Sequence, residues 1–403
     1  MKKTPKLRFK EFSGDYRKIP FSDCVSIKNG QVDPIIEPYC HMPHIGPGNM
    51  EKFTGRLLEV RTAKEDGQIS GKYLFDKDDV LYGKINPHFG KVVFPKYEGL
   101  CSADTYPLKS YNGMISDYLF YSLQTSRFLK YTTSVSMRTG MPKINREELN
   151  LYNFYLPSIS EQEKLSYVFS LIDNKISLQS EKVEALKDYK KGIMKKIFSR
   201  ELRFKDDEGR DYPEWEKKKV EECVDIFLGL TYTPTYVQKG IPFLSVKDIS
   251  NSDEICFDNI KYISEDEYKN ATSNAKPQKG DILFGRVGTL GNPIVINEEI
   301  DICIFVSLGF LRVKNDNISN IFISHWMKSE SFLKQVEKKI AGSSQKNLNT
   351  GWLKSFDIEI PSIKEQNKIC ILLDSLDKKL KLEQEKLNSL NEYKKGLLQQ
   401  MFI

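Results

Sequence analysis

Two stretches of the chain share one rhythm of apolar and polar residues. Alternate steps of four and three from Leu165 meet Phe169, Ile172, Ile176, Gln179, Val183, Leu186, Lys190, Ile193 and Ile197. The same steps from Ile369 meet Leu373, Leu376, Leu380, Glu383, Leu387, Leu390, Lys394, Leu397 and Met401. This spacing predicts two amphipathic helices of about 38 residues, roughly 57 Å each at 1.5 Å per residue. The polar interruptions fall at matching places, and Leu178, Tyr189, Leu382 and Tyr393 each stand one step away. A helix drifting from a strict 3.5-residue period is expected to bring those neighbours into the stripe. Ser160-Glu161-Gln162-Glu163, just after a proline, reads as a capping box. One helix cannot bury such a stripe. Equal length, register and interruptions predict that the two helices pair, and the flanking Glu181, Lys182 and Glu184 are compatible with facing Lys378, Lys379 and Lys381.

The stripes belong to a larger duplication. Leu156-Pro157-Ser158-Ile159, Glu161-Gln162 and Tyr189-Lys190-Lys191-Gly192 recur 204 residues later as Ile360-Pro361-Ser362-Ile363, Glu365-Gln366 and Tyr393-Lys394-Lys395-Gly396. Leu7-Arg8-Phe9-Lys10 recurs as Leu202-Arg203-Phe204-Lys205. Solenoid repeats are far shorter, so the repeated unit is a domain plus a helix. The predicted division is 1–157, a helix over 158–200, a second domain over 201–361 and a helix over 362–403. The order is cyclic in its logic, which places the two termini close together.

Within each domain, Val80-Leu81-Tyr82, Lys91-Val92-Val93-Phe94, Asp281-Ile282-Leu283-Phe284 and Ile294-Val295-Ile296 read as strands. Asp117–Tyr131 and Asn320–Lys339 have helical spacing. The expected fold is α+β: two similar mixed α/β domains, each with a curved or partly closed sheet, separated by two long antiparallel coiled-coil helices in a pseudo-two-fold repeat. Twin domains on one chain suggest a grip on a pseudo-symmetric partner, for which duplex DNA is the obvious candidate.

Length and composition agree with two or three soluble domains. No apolar run approaches a membrane span, and the start leads into no apolar signal segment. Seven scattered cysteines without a CxxC pair read as reduced thiols in a cytoplasmic protein. The net charge of +6 is uneven: residues 1–157 carry 23 Lys+Arg against 17 Asp+Glu, whereas 201–361 carry 21 against 26. Any nucleic-acid surface on the second domain must therefore be a local patch.

Catalytic signatures are missing. There is no GxxxxGK phosphate loop, no GxGxxG fingerprint, no HExxH zinc helix and no Asn- or Asp-Pro-Pro-aromatic tetrapeptide. The four histidines suggest no Ser/His/Asp or Cys/His arrangement. His41 and His44 near Cys40 and Cys24 match no usual zinc spacing, so no metal site is assigned.

Two loops recur in both domains with polar, glycine-rich composition. The first runs from Leu81 to Lys91 and contains Lys84, Asn86, His88 and Lys91. Its counterpart, Leu283 to Asn292, contains Arg286 and Thr289. Both follow an aspartate-led strand (Asp79, Asp281), and a cation beside exposed backbone N–H groups suits a phosphate or a guanine edge. A plain hairpin with a surface cation is the other reading. The second loop, Ser136–Asn145, holds Arg138, Thr139 and Lys143. It aligns with Ile340–Asn349, which holds Ser343, Ser344, Gln345, Lys346 and Asn347. Both sets bond phosphates and base edges, and their differences predict that the two domains read different sequences.

Taken in order, these repeats make the chain resemble the specificity subunits of type I restriction–modification systems. The resemblance rests on the aliphatic-Pro-x-aliphatic-x-Glu-Gln start of each long helix, the Tyr-Lys-Lys-Gly near its end, and the Leu-Arg-Phe opener followed by Tyr16 or Trp215. It implies two target-recognition domains that each read half of a bipartite double-stranded DNA site, with the helix pair as a ruler for the unread spacer. It also implies no cofactor and no catalysis in this chain. Two methyltransferase subunits using S-adenosylmethionine, docked on the outer helix faces, and ATP- and Mg²⁺-dependent restriction subunits are the implied partners. The competing reading is a scaffolding protein with two modules for protein or glycan ligands on a coiled-coil rod.

Overall fold

The structure, a computed structural model, describes residues 4–136, 140–250, 254–287, 290–340 and 347–403. Arg138, Thr139, Thr289, Ser343, Ser344, Gln345 and Lys346, named above, lie outside the described residues. The chain forms two compact units, Met1–Lys182 with Glu383–Ile403, and Val183–Leu382. Each unit takes one part of each long helix.

Both stripes form helices of the expected length, Ile159–Phe198 and Ile363–Met401. The cap is Ser158, not Ser160: its Oγ accepts the Glu161 N–H at 3.3 Å, and Ser362 does the same for Glu365 at 3.4 Å. Glu161 and Glu365 do not reach back to complete a box, because each is held elsewhere. Arg8 grips Glu161 with Nε and Nη2 at 2.8 Å, and the Tyr16 hydroxyl donates to the same carboxylate at 2.9 Å. Arg203 grips Glu365 at 3.2 and 2.9 Å, and the Trp215 indole N–H donates at 3.2 Å. Tyr and Trp exchange without loss because each offers one N–H or O–H on an apolar body. The neighbouring Gln162 accepts from the Ile115 N–H and donates to Gly113 and Pro157 carbonyls; Gln366 repeats this with Ser319, Asn317 and Pro361.

The helices pair antiparallel within each unit. In the first, Leu165 and Phe169 pack with Leu398, Met401 and Phe402, and Lys394 pairs with Asp173 at 2.7 Å. In the second, Met194 and Ile197 pack with Ile369, Cys370 and Leu373, and Lys190 pairs with Asp377. The expected drift does not occur. Leu178 and Leu382 are 67% and 65% exposed, as are Tyr189 and Tyr393 at 56% and 58%. The polar residues keep their stripe positions because each has a partner: Gln179 donates to the Glu383 carbonyl and carboxylate at 2.9 and 2.6 Å, and the two lysines meet the two aspartates. Of the flanking charges, Lys182 pairs with Glu383, Glu184 with Lys187 and Lys381 with Glu254.

Among the described residues, each unit holds three small sheets in place of the curved or partly closed sheet expected. The Gly- and Pro-punctuated segments give strands of two to six residues, too short for one continuous sheet. In the first unit, Arg17–Pro20 pairs with Asn153–Leu156. A four-stranded sheet runs Val25–Ile27, Thr105–Ser110, Val80–Gly83, Val92–Val93, and a five-stranded sheet holds Gln31–Val32 to Arg61–Thr62. The second unit repeats the plan: Glu216–Lys219 with Asp357–Ile360, then Val224–Leu228, Leu308–Val313, Ile282–Gly285, Gly291–Val295, then a third sheet. The third sheets each contain one parallel pair, Pro43–Ile45 with Gly99–Cys101 and Ile241–Leu244 with Cys303–Ile304. The helical stretches break into Ser116–Ser122 with Ser126–Ser136, and Asn320–Met327 with Glu330–Ile340. Thr125 and Ser329 cause the breaks, each hydroxyl accepting an N–H of the next helix. No helix among the described residues is long and apolar enough to cross a membrane.

Candidate nucleic-acid interface

The two repeated loops, far apart in sequence, meet in each unit. In the first, the strand Val80–Gly83 ends at Lys84, whose N–H donates to the Asp104 carbonyl and whose carbonyl accepts the Ile144 N–H, both at 3.0 Å. The Asn86 N–H donates to the Pro142 carbonyl at 2.8 Å, and Ile85 bridges to Lys143. In the second, Arg286 donates its N–H to the Ser307 carbonyl and accepts the Leu348 N–H at 2.8 Å, while Val287 bridges to Asn347. The same backbone frame thus presents different side chains: Lys84 and Lys143 in one copy, Arg286 and Asn347 in the other.

Burial separates the cations into two kinds. Lys84 is buried, with its ammonium 5.3 Å above the Tyr106 ring and 3.9 Å from Asp104. Burial, then the Lys143 charge, pulls the Lys84 ammonium below its usual range. Arg286 is buried too, donating to the Leu348 and Val306 carbonyls at 3.3 and 3.0 Å, and burial lowers its pKa as well. These two cations hold the loops together from beneath. Lys143 and His88 are exposed, Asn86 sits half-buried in the left-handed region at φ 50°, and Lys91 turns in to the Pro47 carbonyl. Sequence reading missed Arg146, whose guanidinium also lies 5.3 Å from the Tyr106 ring centre and which donates to the Ile27 and Lys28 carbonyls at 2.9 Å. It also missed Lys52, 3.8 Å over the Phe89 ring beside His88. Neither has a counterpart at the matching place in the other copy, so the duplication could not flag them.

Asp79 and Asp281 do not belong to the exposed face. Each closes the turn before its strand, Asp79 accepting the Asp76 N–H at 2.8 Å and Asp281 the Gln278 N–H at 2.9 Å, and each meets a cation, Lys28 or Arg312. Lys28 also reaches Asp76 at 2.7 Å. Burial pushes the Asp76 carboxyl up, but Lys28, the Asp78 N–H and Lys109 together hold it down at about 2. A carboxyl held below its unfolded value near 3.9 stabilises the fold above that pH and loses the effect as pH falls toward its folded pKa. The Asp76→Asn variant should therefore show a lower urea midpoint than wild type at pH 7, with the gap closing between about pH 4 and about pH 2. An unchanging gap would contradict this.

The residues near position 40 separate. His44 pairs with Asp66 at 3.0 Å and Cys24 contacts the Pro20 and Phe21 carbonyls, while Cys40 and His41 come near Glu37. All seven cysteines are free thiols.

Comparison with known proteins matches this geometry to one family. Residues 14–188 and 212–392 each match the type I restriction modification DNA specificity domain. The MjaVIII type I restriction enzyme specificity subunit of Methanocaldococcus jannaschii is 25% identical over 97% of this chain and 94% of its own length. The EcoDI specificity subunit of Escherichia coli is 32% identical over 127 residues, 32% of this chain and 28% of its own. The crystal structure of the type I restriction–modification S subunit from M. genitalium shares the fold, with a TM-score of 0.58 at 17% identity over 99% of both chains. With two matched domains covering most of its length, the chain belongs to the type I restriction–modification DNA specificity family.

Proposed function

We propose that this chain is the non-catalytic sequence-reading subunit of a type I restriction–modification complex, each unit recognising one half of a bipartite site in double-stranded DNA. The supporting observation is the duplicated frame in which two separate loops pair at Ile85–Lys143 and again at Val287–Asn347. One frame with two side-chain sets suits two readers of unlike half-sites. Lys143, His88 and Asn86 offer donors to phosphates or base edges, with Asn347 in the matching place of the second unit. Lys84 and Arg286 act as positioning residues beneath them.

Methyl transfer, with S-adenosylmethionine, and ATP- and Mg²⁺-dependent restriction fall to partner subunits. The exposed Leu178 and Tyr189 recur as Leu382 and Tyr393 at equivalent places on the second helix. Exposed apolar side chains that occur in both units, Leu178 and Tyr393 in the first and Leu382 and Tyr189 in the second, fit two identical partners, and we assign them to two methyltransferase subunits. The target adenine is then flipped into a partner's pocket, and this chain supplies the placement.

Co-expression with the methyltransferase subunits, followed by mapping of methylated adenines, tests the reading. Wild type should yield one two-part motif. Lys143→Gln should weaken binding, and if Lys143 reads a base it should relax one position of one half-motif. Absence of a methyltransferase partner in pulldowns, or a motif without two parts, would overturn the proposal.

A further inference from the structure

The second unit carries an open cleft of about 730 Å³ between the strands Glu216–Lys219 and Asp357–Ile360 and the helix Glu330–Ile340. Lys217, Lys219, Lys334, Lys338 and Lys339 line it. Its two carboxylates are already engaged, Asp357 by Lys217 and Lys219 at 3.0 and 2.6 Å and Glu359 by Arg200 at 3.3 Å. Among the described residues, no carboxylate pairs with Lys338 or Lys339, and both are exposed. A surplus of positive charge is thus gathered in a unit whose sequence from 201 to 361 has 26 acidic residues against 21 basic.

The first unit fills the equivalent space. There Arg127 lies over the Tyr152 and Tyr155 rings at 5.2 and 4.6 Å and donates to the Ile403 carbonyl at 2.7 Å. Tyr131 packs on Tyr152 with ring centres 5.1 Å apart. In the second copy, positions 127, 131 and 155 correspond to Ser331, Gln335 and Glu359. Replacing bulky stacked groups by small or polar ones opens the cleft, and Gln335 is held aside by two bonds to the Asp357 backbone.

We propose that this lysine cleft binds the phosphate backbone of the duplex flanking the half-site read by the second unit. The inference rests on the DNA-reading function proposed above and adds phosphate contacts beside those of the paired loops. The lysine helix ends at Ile340, and Asn347, seven positions on, is already in the paired loop frame. Seven residues span at most about 25 Å. A duplex presents one phosphate charge per ~1.7 Å of axis, so DNA seated on the loops passes many phosphates over that distance. Lysines act on phosphate as mobile point charges, which needs no base-specific geometry.

The test uses the chain assembled with its methyltransferase subunits and duplexes carrying the methylated motif. For the double variant Lys338→Gln, Lys339→Gln, the slope of log binding constant against log salt should fall by about 2, at about 0.9 per lost contact. Affinity should drop at least tenfold at low salt while the methylated motif stays the same. On a duplex trimmed to end at the half-site, variant and wild type should bind alike. An unchanged slope in an intact complex would overturn the proposal, as would loss of methyltransferase subunits with the slope preserved, which would assign the cleft to a protein interface. A wild-type complex that binds no motif at all would instead defeat the function on which the inference rests.

Discussion

Arg203→Met is expected to destabilise the second unit by about 3–5 kcal/mol, the usual cost of leaving a buried charge without its partner. Glu365 is fully buried and receives Arg203 through two bonds and Trp215 through a third. Removing the guanidinium leaves a carboxylate that one indole N–H cannot satisfy. The three tryptophans, Trp215, Trp326 and Trp352, all lie in this unit, so the urea midpoint followed by their fluorescence reports it directly. Adding Glu365→Gln to Arg203→Met should recover much of the loss, because the remaining group is neutral. A shift of less than about 1 kcal/mol in the single variant would show that the latch is merely a surface ion pair. Arg8→Met, which breaks the matching latch on Glu161 in the other unit, should lower stability in far-ultraviolet circular dichroism.

The second large effect concerns the DNA spacer. Inserting seven residues at equivalent places in both helices, after Gln179 and after Glu383, should abolish methylation at the native motif. Seven residues keep the apolar stripe in phase and lengthen each helix by about 10 Å. Insertion in one helix alone would misalign Lys190 with Asp377 or Lys394 with Asp173, pairs that hold the register. Methylated sites that emerge should carry both original half-sequences with a longer spacer. Persistence of the native spacing, or loss of one half-sequence with the other intact, would refute the helix pair as the ruler.

The helix latch shows where sequence reading stops. Leu7-Arg8-Phe9 and Leu202-Arg203-Phe204 were visible as a repeat, but Arg8 and Glu161 are 153 positions apart, and no local pattern pairs them. The proximity of the termini is a different case. Cyclic order predicted it, and the Leu7 N–H donating to the Gln400 carbonyl at 2.9 Å supplies the bond, just as Leu202 bonds Lys196 in the continuous chain. At the interface, the loops were legible from composition and duplication. Their meeting was not, because the bridge from Ile85 to Lys143 is a non-local β contact. Nor could composition show that Lys84 and Arg286 point inward while Lys143 stays in water.

Periodicity sufficed for the long helices, since 3.5-residue spacing maintained over ten positions admits no other regular structure. Duplication sufficed for the two-unit plan and for the family. What covers each stripe position was settled only by the partner helix. Gln179 and Lys394 remain inward because Glu383 and Asp173 arrive to meet them, leaving Leu178 and Tyr393 to solvent. A periodic pattern encodes which residues share a face, but the free energy of burying a polar group depends on the group that comes to satisfy it. The lysine cleft follows the same logic, since it exists where Ser331 and Gln335 leave space that Arg127 and Tyr131 occupy in the other copy.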